Sequence, residues 1–323
     1  MAKAAITGTG SGIPKKVLTN SDLEKIVDTS DQWITERTGI KERRVADENE
    51  ATSDLAYEAA KKALESAKFS PEKLDLIIVT TSSPDMLFPS TACIVQDKLG
   101  AKNSAAFDLA AACTGFNYGL AVASSLIESG IYKNALVIGA DTLTKYLDWT
   151  DRNTCILFGD GAGAVLLEAN TDGTGVLANY LMAEGSGGKY LVMPGGGSRD
   201  PEIKKSRYIW MDGKEVYKFA VRALPASVKK ALEAAKMNTS DISLLIPHQA
   251  NTRIIDSALK KLDLSKEKVY VNLDRYGNTS AASIPIALDE AFQNKKIKKG
   301  DIVVLAGFGA GLTYGANVIK WSI

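Results

Sequence analysis

Three apolar runs recur in the same order in both halves of this chain, and that recurrence limits its architecture more than any other feature. Leu74-Asp-Leu-Ile-Ile-Val-Thr-Thr81 resembles Ile242-Ser-Leu-Leu-Ile-Pro-His248. Phe107-Asp-Leu-Ala-Ala-Ala-Cys-Thr-Gly115 resembles Val271-Asn-Leu-Asp-Arg-Tyr-Gly-Asn-Thr279, and Ala135-Leu-Val-Ile-Gly139 resembles Ile302-Val-Val-Leu-Ala-Gly307. Copies roughly 165 residues apart are too widely spaced for a solenoid and imply two related α/β halves packed on each other. The expected halves are residues 1–172 and 173–323.

Between the apolar runs lie helical stretches. Capping residues and spacing predict helices over Ser21–Asp28, Thr29–Arg37, Thr52–Ala67, Ser90–Leu99, Thr114–Ser129 and Asn251–Leu262. This alternation predicts an α/β fold with largely parallel strand pairing. Two glycine runs imitate nucleotide loops. Gly8-Thr-Gly-Ser-Gly12 is followed by Ile13-Pro14 where a helix should open, so it is not a dinucleotide fingerprint. Gly159-Asp-Gly-Ala-Gly163 leads into a strand and reads as close backbone packing at a hairpin or bulge. Residues 185–201, rich in glycine, read equally as a mobile flap or a surface excursion.

Charge narrows the partners. Lys plus Arg number 39 and Asp plus Glu 38 in 323 residues, so no overall basic character draws the chain to nucleic acid or membrane. The N-terminal residues lack a signal-peptide core, and no run approaches the ~20 apolar residues of a membrane span. The three cysteines are odd in number and lack metal-ligand spacing, which fits a reducing compartment, so the expected location is the cytoplasm. A single histidine, His248, must serve any imidazole chemistry.

Cys113 stands where the strand Ser104–Leu109 gives way to the apolar helix Thr114–Ser129. Unpaired N–H groups and the helix dipole there lower a thiol's pKa and favour a nucleophile. A lone cysteine among alanines also reads as packing. His248 ends a strand and reads as a catalyst or as a satisfied core group. Asn278 falls in a Gly-Asn turn and reads as a site residue or as turn chemistry. If the halves are related by a pseudo-twofold, Cys113 and Asn278 occupy matching strand-to-helix turns.

The motifs Ala111-Ala-Cys113-Thr-Gly-Phe116, Asp151-Arg-Asn-Thr154, Phe158-Gly-Asp-Gly-Ala-Gly-Ala164, Pro247-His-Gln-Ala-Asn-Thr-Arg253, Asp274-Arg-Tyr-Gly-Asn-Thr-Ser-Ala-Ala-Ser283 and Gly307-Phe-Gly-Ala-Gly-Leu-Thr-Tyr-Gly315 span almost the whole chain. Together they resemble the β-ketoacyl-acyl-carrier-protein synthase III family. Elongating synthases of the same superfamily use two histidines and thiolases a second cysteine. The resemblance implies a thiolase-like fold, a five-layer αβαβα sandwich, and a homodimer. It implies decarboxylative condensation of an acyl-coenzyme A with malonyl-acyl carrier protein, with no cofactor and no metal. Cys113 would be acylated, and His248 and Asn278 would hydrogen-bond the malonyl thioester carbonyl. Backbone N–H groups of Cys113 and Ala310 would form the acyl oxyanion hole, and the family often has glycine where Ala310 stands. Coenzyme A is expected on Thr29, Trp33, Arg37, Arg152 and Asn251. Phe88 (from a partner subunit), Leu143, Phe158, Leu191, Phe308 and Leu312 are expected around the acyl group. Lys218, Arg253, Lys260 and Lys261 form a basic ridge for the acidic carrier protein. A homologous condensing enzyme or acyltransferase with another acceptor, and a non-catalytic scaffold, are the rival readings.

Overall fold

The computed structural model describes residues 2–323. The strands that build the sheets are β1 (Lys3–Gly12), β2 (Leu76–Thr80), β3 (Ala105–Leu109), β4 (Asn134–Thr142), β5 (Asp160–Asn170), β6 (Gly175–Ala183), β7 (Leu244–Pro247), β8 (Ile302–Gly309) and β9 (Thr313–Lys320). The helices that cover them are α1 (Asp31–Thr38), α2 (Thr52–Ala67), α3 (Thr91–Leu99), α4 (Gly115–Glu128), α5 (Gly213–Ala234), α6 (Thr252–Leu262) and α7 (Ser283–Gln293).

One sheet has the order β1-β5-β4-β2-β3 and the other β7-β8-β9-β6. Strands β6, β9, β8 and β7 thus take the places of β1, β5, β4 and β2, with the same sense of pairing at each step. The counterpart of β3 shrinks to a single parallel bridge, Leu245 with Val269. Pairing is mixed and not largely parallel as expected: only β2/β3, β2/β4 and β7/β8 run parallel. Between β8 and β9 stand only residues 310–312, too few for the crossover a parallel pair requires, so the strands reverse.

Apolar burial divides the molecule into five layers. Helices α2 and α3 lay Ala56, Ala60, Ala63, Leu64 and Val95 on the outer face of the first sheet, against Ile77, Val79, Leu136 and Ile138. Helices α4 and α7 fill the space between the sheets, where Phe116, Leu120, Ile284 and Leu288 meet Ile78 and Val137 on one side and Ile246, Val303 and Leu305 on the other. Helices α5 and α6 cover the far face of the second sheet with Leu224, Val228, Ile254, Ala258, Leu259 and Leu262, against Leu245, Val304, Ala316 and Val318.

The glycine runs explain how the layers approach. A Cβ at Gly8, Gly10 or Gly12 would run into the backbone carbonyls of Ala63, Ala59 and Leu55, so this face of β1 is a groove for α2. A Cβ at Gly163 would meet Pro285 and Ile286, so that run seats α7 against an unbroken strand and not at the expected hairpin or bulge.

One further expectation is corrected, and one loop gains local structure. The helix expected over Ser21–Asp28 is a single turn, Asn20–Leu23, capped by Thr19. Ile26, in what would be its second turn, is 49% exposed and has no surface to bury. The 185–201 stretch is partly ordered by pairing: Gly185–Tyr190 forms a 3-10 turn, and Leu191–Val192 pairs antiparallel with Trp210–Met211. Replacing Gly10 by Val should lower stability by about 1–3 kcal/mol through overpacking between β1 and α2. Urea unfolding of the variant, with its midpoint set against the wild type, measures this.

Candidate active site

Cys113 lies in a 3-10 turn, Ala112–Thr114, that joins β3 to α4, and the regular helix opens at Gly115, one residue later than expected from sequence. Ala112 has φ +47°, a left-handed conformation that turns the strand sharply into the helix. The end of β8 closes over this turn: a Cβ at Gly309 would lie 2.8 Å from the Cys113 nitrogen and 2.9 Å from its Cβ. Thr313 Oγ1 lies 3.1 Å from the Ala111 carbonyl oxygen and 2.9 Å from that of Ala310, holding the 310–312 loop to the turn.

The environment of the thiol differs from the sequence expectation. Cys113 is 5% exposed, and burial pushes its thiol up to about 12, with nearby Asp141 adding to the rise and a hydrogen bond to Ser280 opposing it. The helix N-terminus expected from sequence is present, and burial acts against it.

His248 follows β7, and its N–H donates to the Ala306 carbonyl at 2.8 Å. Its Nδ1 lies 2.6 Å from Ser283 Oγ, and the Phe308 ring stands edge-on at 5.2 Å. The Gln249 N–H donates to the same Ser283 oxygen at 3.4 Å, so Ser283 ties the imidazole to the chain that follows β7. Burial pushes the His248 pKa down to about 3, which keeps the ring neutral across the physiological range.

Asn278 is held by its backbone, which donates to Leu157 at 2.8 Å and accepts from Gly159 at 3.0 Å. Its Oδ1 accepts the Ser280 N–H at 2.9 Å. That contact fixes the amide orientation and leaves the Nδ2 protons for the cavity it lines.

Three cavities that share lining residues surround these groups and are together called the tunnel. The outer cleft, about 950 Å³, is lined by Trp33, Arg37, Arg152, Trp210, Lys214, Lys218, Asn251 and Arg253, with Asp212 as its one carboxylate. A neck of about 100 Å³ shares Leu157, Met211, Tyr217 and Asn251 with the cleft and is walled by Cys113, His248, Asn278 and Phe308. Beyond Cys113 an apolar chamber of about 70 Å³ is formed by Leu143, Phe158, Leu191, Ile209 and Met193, with Ala310 at its edge.

Most expected positions reach this tunnel, and some do not. Trp33 stacks between Arg37 at 4.9 Å and Arg152 at 5.2 Å. Thr29 stands outside the cleft lining with its Oγ1 buried and unpartnered. Leu312 is a core residue beneath Gly187 and lines neither inner cavity, because the hydrogen bonds of its backbone with Glu184 turn it into the interior. Phe88 is 85% exposed and away from the chamber of its own chain. Arg253 reaches the cleft but donates to the Glu36 carbonyl at 3.0 Å, and Lys218 pairs with Glu215 at 2.7 Å. Lys260 and Lys261 lie outside the cleft, and Lys261 donates to the Val221 carbonyl at 2.8 Å. Sequence reading overlooked Ile209, Met193, Ser280, Ser283 and Asp141. The two serines sit inside a recognised motif, but only their three-dimensional partners distinguish them from cap residues.

A five-layer sandwich with a buried thiol, a neutral imidazole and a carboxamide on one tunnel wall defines an acyl-transferring condensing enzyme of the thiolase-like fold. Residues 107–185 match the family model described as 3-Oxoacyl-[acyl-carrier-protein (ACP)] synthase III, and residues 232–321 match its C-terminal model. The chain is 60% identical to the Beta-ketoacyl-[acyl-carrier-protein] synthase III of Caldanaerobacter subterraneus subsp. tengcongensis, over 99% of this chain and 98% of that one. It superposes on the crystal structure of 3-oxoacyl-[acyl-carrier-protein] synthase III from Aquifex aeolicus VF5 with a TM-score of 0.94 and 52% identity, covering 98% of this chain and 100% of the other. The priming β-ketosynthase of the R1128 polyketide pathway is similar at 33% identity and TM-score 0.93, covering 99% and 97% of the two chains. The chain belongs to the β-ketoacyl-acyl-carrier-protein synthase III family.

The His248 environment has a consequence for stability. Its pKa is 6.5 when unexposed to such burial and about 3 in the fold, so between these values the unfolded state binds the extra proton and stability falls as pH falls. A His248→Gln variant lacks this dependence. The difference in unfolding free energy, wild type minus variant, should therefore drop by roughly 2 kcal/mol between pH 7 and pH 5, as urea titrations at the two pH values would record.

Proposed function

We propose that this enzyme carries out the initiating condensation of fatty-acid synthesis. An acyl-coenzyme A starter, acetyl-coenzyme A in the first instance, and malonyl-acyl carrier protein give 3-ketoacyl-carrier protein, coenzyme A and carbon dioxide. The observation that carries the reading is the tunnel neck, where Cys113, His248 and Asn278 share one wall beneath a cation-lined cleft.

In the first half-reaction the Cys113 sulfur attacks the thioester carbonyl, and coenzyme A departs as its thiol. Backbone N–H groups at Cys113 and Ala310 receive the oxyanion, a role supported by the closeness of the β8 end to the nucleophile turn. In the second, a malonyl thioester enters the same neck. Its carbonyl oxygen accepts hydrogen bonds from His248 Nε2 and Asn278 Nδ2, carbon dioxide leaves, and the enolate carbon attacks the acyl group on Cys113. Both donors are neutral, so each stabilises the enolate without surrendering its proton at working pH.

Trp33, Arg37, Arg152 and Asn251 fit the nucleotide and phosphates of coenzyme A, with Thr29 beside them. Five cationic side chains against one carboxylate also favour an acidic protein, and Lys218 and Arg253 extend that surface, with Lys260 and Lys261 farther along the ridge. No cofactor enters the scheme, and among the described residues no cluster of His, Cys, Asp and Glu is arranged to hold a metal. The halves 1–172 and 173–323 contribute the nucleophile and the enolate donors respectively, a division supported by the matching strand orders. A homodimer is supported by Met86, Leu87 and Phe88, exposed at 50%, 79% and 85%. Work in the cytoplasm agrees with three unpaired cysteines, and no helix among the described residues is long and apolar enough to cross a membrane. Use of another acceptor in specialised metabolism is the second reading, favoured by the likeness to a priming β-ketosynthase.

Incubation with acetyl-coenzyme A should add an acetyl mass to Cys113, and Cys113→Ser should lose the adduct while keeping the fold. An undiminished adduct on the variant, or labelling of Cys93 or Cys155, would overturn the nucleophile assignment. His248→Ala and Asn278→Ala should lower carbon dioxide release by about 10²-fold or more while sparing single-turnover acylation. Arg253→Ala should raise the KM for malonyl-carrier protein and flatten its salt dependence, with a smaller effect on the coenzyme A thioester. Turnover with malonyl-coenzyme A preferred over malonyl-carrier protein would favour the second reading.

A further inference from the structure

We propose that Ser283 is a positioning residue for decarboxylation: its hydroxyl donates to His248 Nδ1, keeps that nitrogen free of hydrogen and so holds the imidazole proton on Nε2, toward the neck. The proposal rests on His248 being a donor to the malonyl thioester carbonyl.

Ser283 is the first residue of α7, where a serine is ordinarily explained as part of a helix cap. It has another use here. Ala282, whose side chain can neither donate nor accept, occupies the cap position of α7. The Ser283 side chain turns instead to the end of β7, 35 residues earlier, where its Oγ lies 2.6 Å from His248 Nδ1 and accepts the Gln249 N–H at 3.4 Å. Ser283 is 2% exposed and His248 1%, so water offers neither a substitute partner.

Among the described residues, Nδ1 and the Gln249 N–H are the two partners of the Ser283 oxygen, and their chemistry places the protons. The Gln249 N–H can only donate, so it takes one lone pair of Oγ. Were Nδ1 protonated as well, Oγ would accept twice, and the serine's own hydrogen would be left without an acceptor in a region closed to water. With Nδ1 bare, the hydroxyl donates to it and all three groups are met. Burial keeps the ring neutral, so its one proton then stands on Nε2. That nitrogen is the one left for the cavity His248 shares with Cys113 and Asn278.

The chain that presents these groups is held on every side. The His248 N–H donates to the Ala306 carbonyl of β8 at 2.8 Å. Gln249 Nε2 donates to the Pro247 carbonyl at 2.7 Å and the Tyr270 carbonyl at 3.2 Å, while its Oε1 accepts the Asn272 N–H at 3.0 Å. The Gln249 backbone N–H is thereby kept on Ser283. For the reaction the tautomer matters because an imidazole protonated on Nδ1 would turn a lone pair, and not a donor, toward the developing enolate oxygen.

His248 is the only histidine of the chain, so nitrogen NMR of enzyme carrying 15N-labelled histidine reads its tautomer without ambiguity. At pH 7 the wild-type ring should show hydrogen on Nε2 alone. In Ser283→Ala the Nδ1 signal should move, because the hydroxyl no longer donates to it, and the Nδ1-protonated form should appear beside it. Carbon dioxide release from malonyl-carrier protein by enzyme already acylated should slow by about tenfold or more, while single-turnover acylation by acetyl-coenzyme A keeps its rate. A wild-type ring protonated on Nδ1 would overturn the proposal, and so would a folded Ser283→Ala variant with the wild-type ring signals or the wild-type rate of carbon dioxide release. If that variant fails to fold, the wild-type ring signals decide. Undiminished carbon dioxide release in His248→Ala would instead defeat the underlying functional reading.

Discussion

The carboxylate of Asp141 is the interaction on which the catalytic wall depends. It ends β4 and gathers the side chains and N–H groups of residues 81–83 from the first sheet, together with the Ala281 N–H from the turn before α7. Residues 140 apart in sequence are thereby pinned at one point. Helix α7 begins two residues after the Ala281 N–H that the carboxylate accepts. A buried carboxylate is costly unless its lone pairs are occupied, and one occupant here is the turn that carries Asn278.

The same logic explains the central layer. Helices α4 and α7 lie between two sheets and present apolar side chains to both, and α4 keeps a narrow outer face at Tyr118, Val122, Ser125 and Leu126. Two buried amides meet across the layer: Asn117 Nδ2 donates to Asn317 Oδ1 at 2.8 Å, and Asn317 Nδ2 donates to the Asn117 backbone carbonyl at 3.1 Å, while Asn117 Oδ1 has no partner among the described residues. Paired amides of this kind fix register, because any shift would leave buried donors and acceptors unmet.

How much of this was legible in the sequence follows from what each residue's signal depends on. The strand repeats gave the two sheets because apolar runs of strand length are a local pattern, and the glycines of β1 could be separated from a nucleotide loop by the Ile13-Pro14 that follows. The sense of pairing was not legible in the same way. It depends on whether a helix intervenes between runs, and the alternation seen in the first half was extended to β8 and β9, where three residues intervene. Cys113, His248 and Asn278 stood out because each is a chemically distinctive residue at a strand end. Ser280, Ser283 and Asp141 did not, because a serine or aspartate near a helix start has an adequate local explanation as a cap. Only contacts from distant strands give them another meaning. The burial of Cys113 was not legible for a related reason: the helix N-terminus is visible in sequence, whereas Gly309 of β8, which packs against the Cys113 turn, comes nearly 200 residues later.

In the proposed reaction two unlike donors use one tunnel, a nucleotide thioester and then a protein-bound one. The geometry accommodates this because the dimensions fall steeply inward, from about 950 Å³ at the cleft to about 100 Å³ at the neck and about 70 Å³ beyond Cys113. A slender thioester arm common to both substrates passes the neck, while what distinguishes them stays outside among the cations. Discrimination between nucleotide and protein therefore belongs to the cleft, where water screens charge and contacts are exchangeable. In that reaction discrimination between acyl groups would fall to the inner chamber, where Leu143, Phe158, Leu191, Ile209 and Met193 set the volume and Ser82 and Ser280 stand at its wall. A mainly apolar chamber separates chain lengths by steric exclusion more sharply than groups of equal size, so chain length is the selectivity the proposed reaction would gain from it.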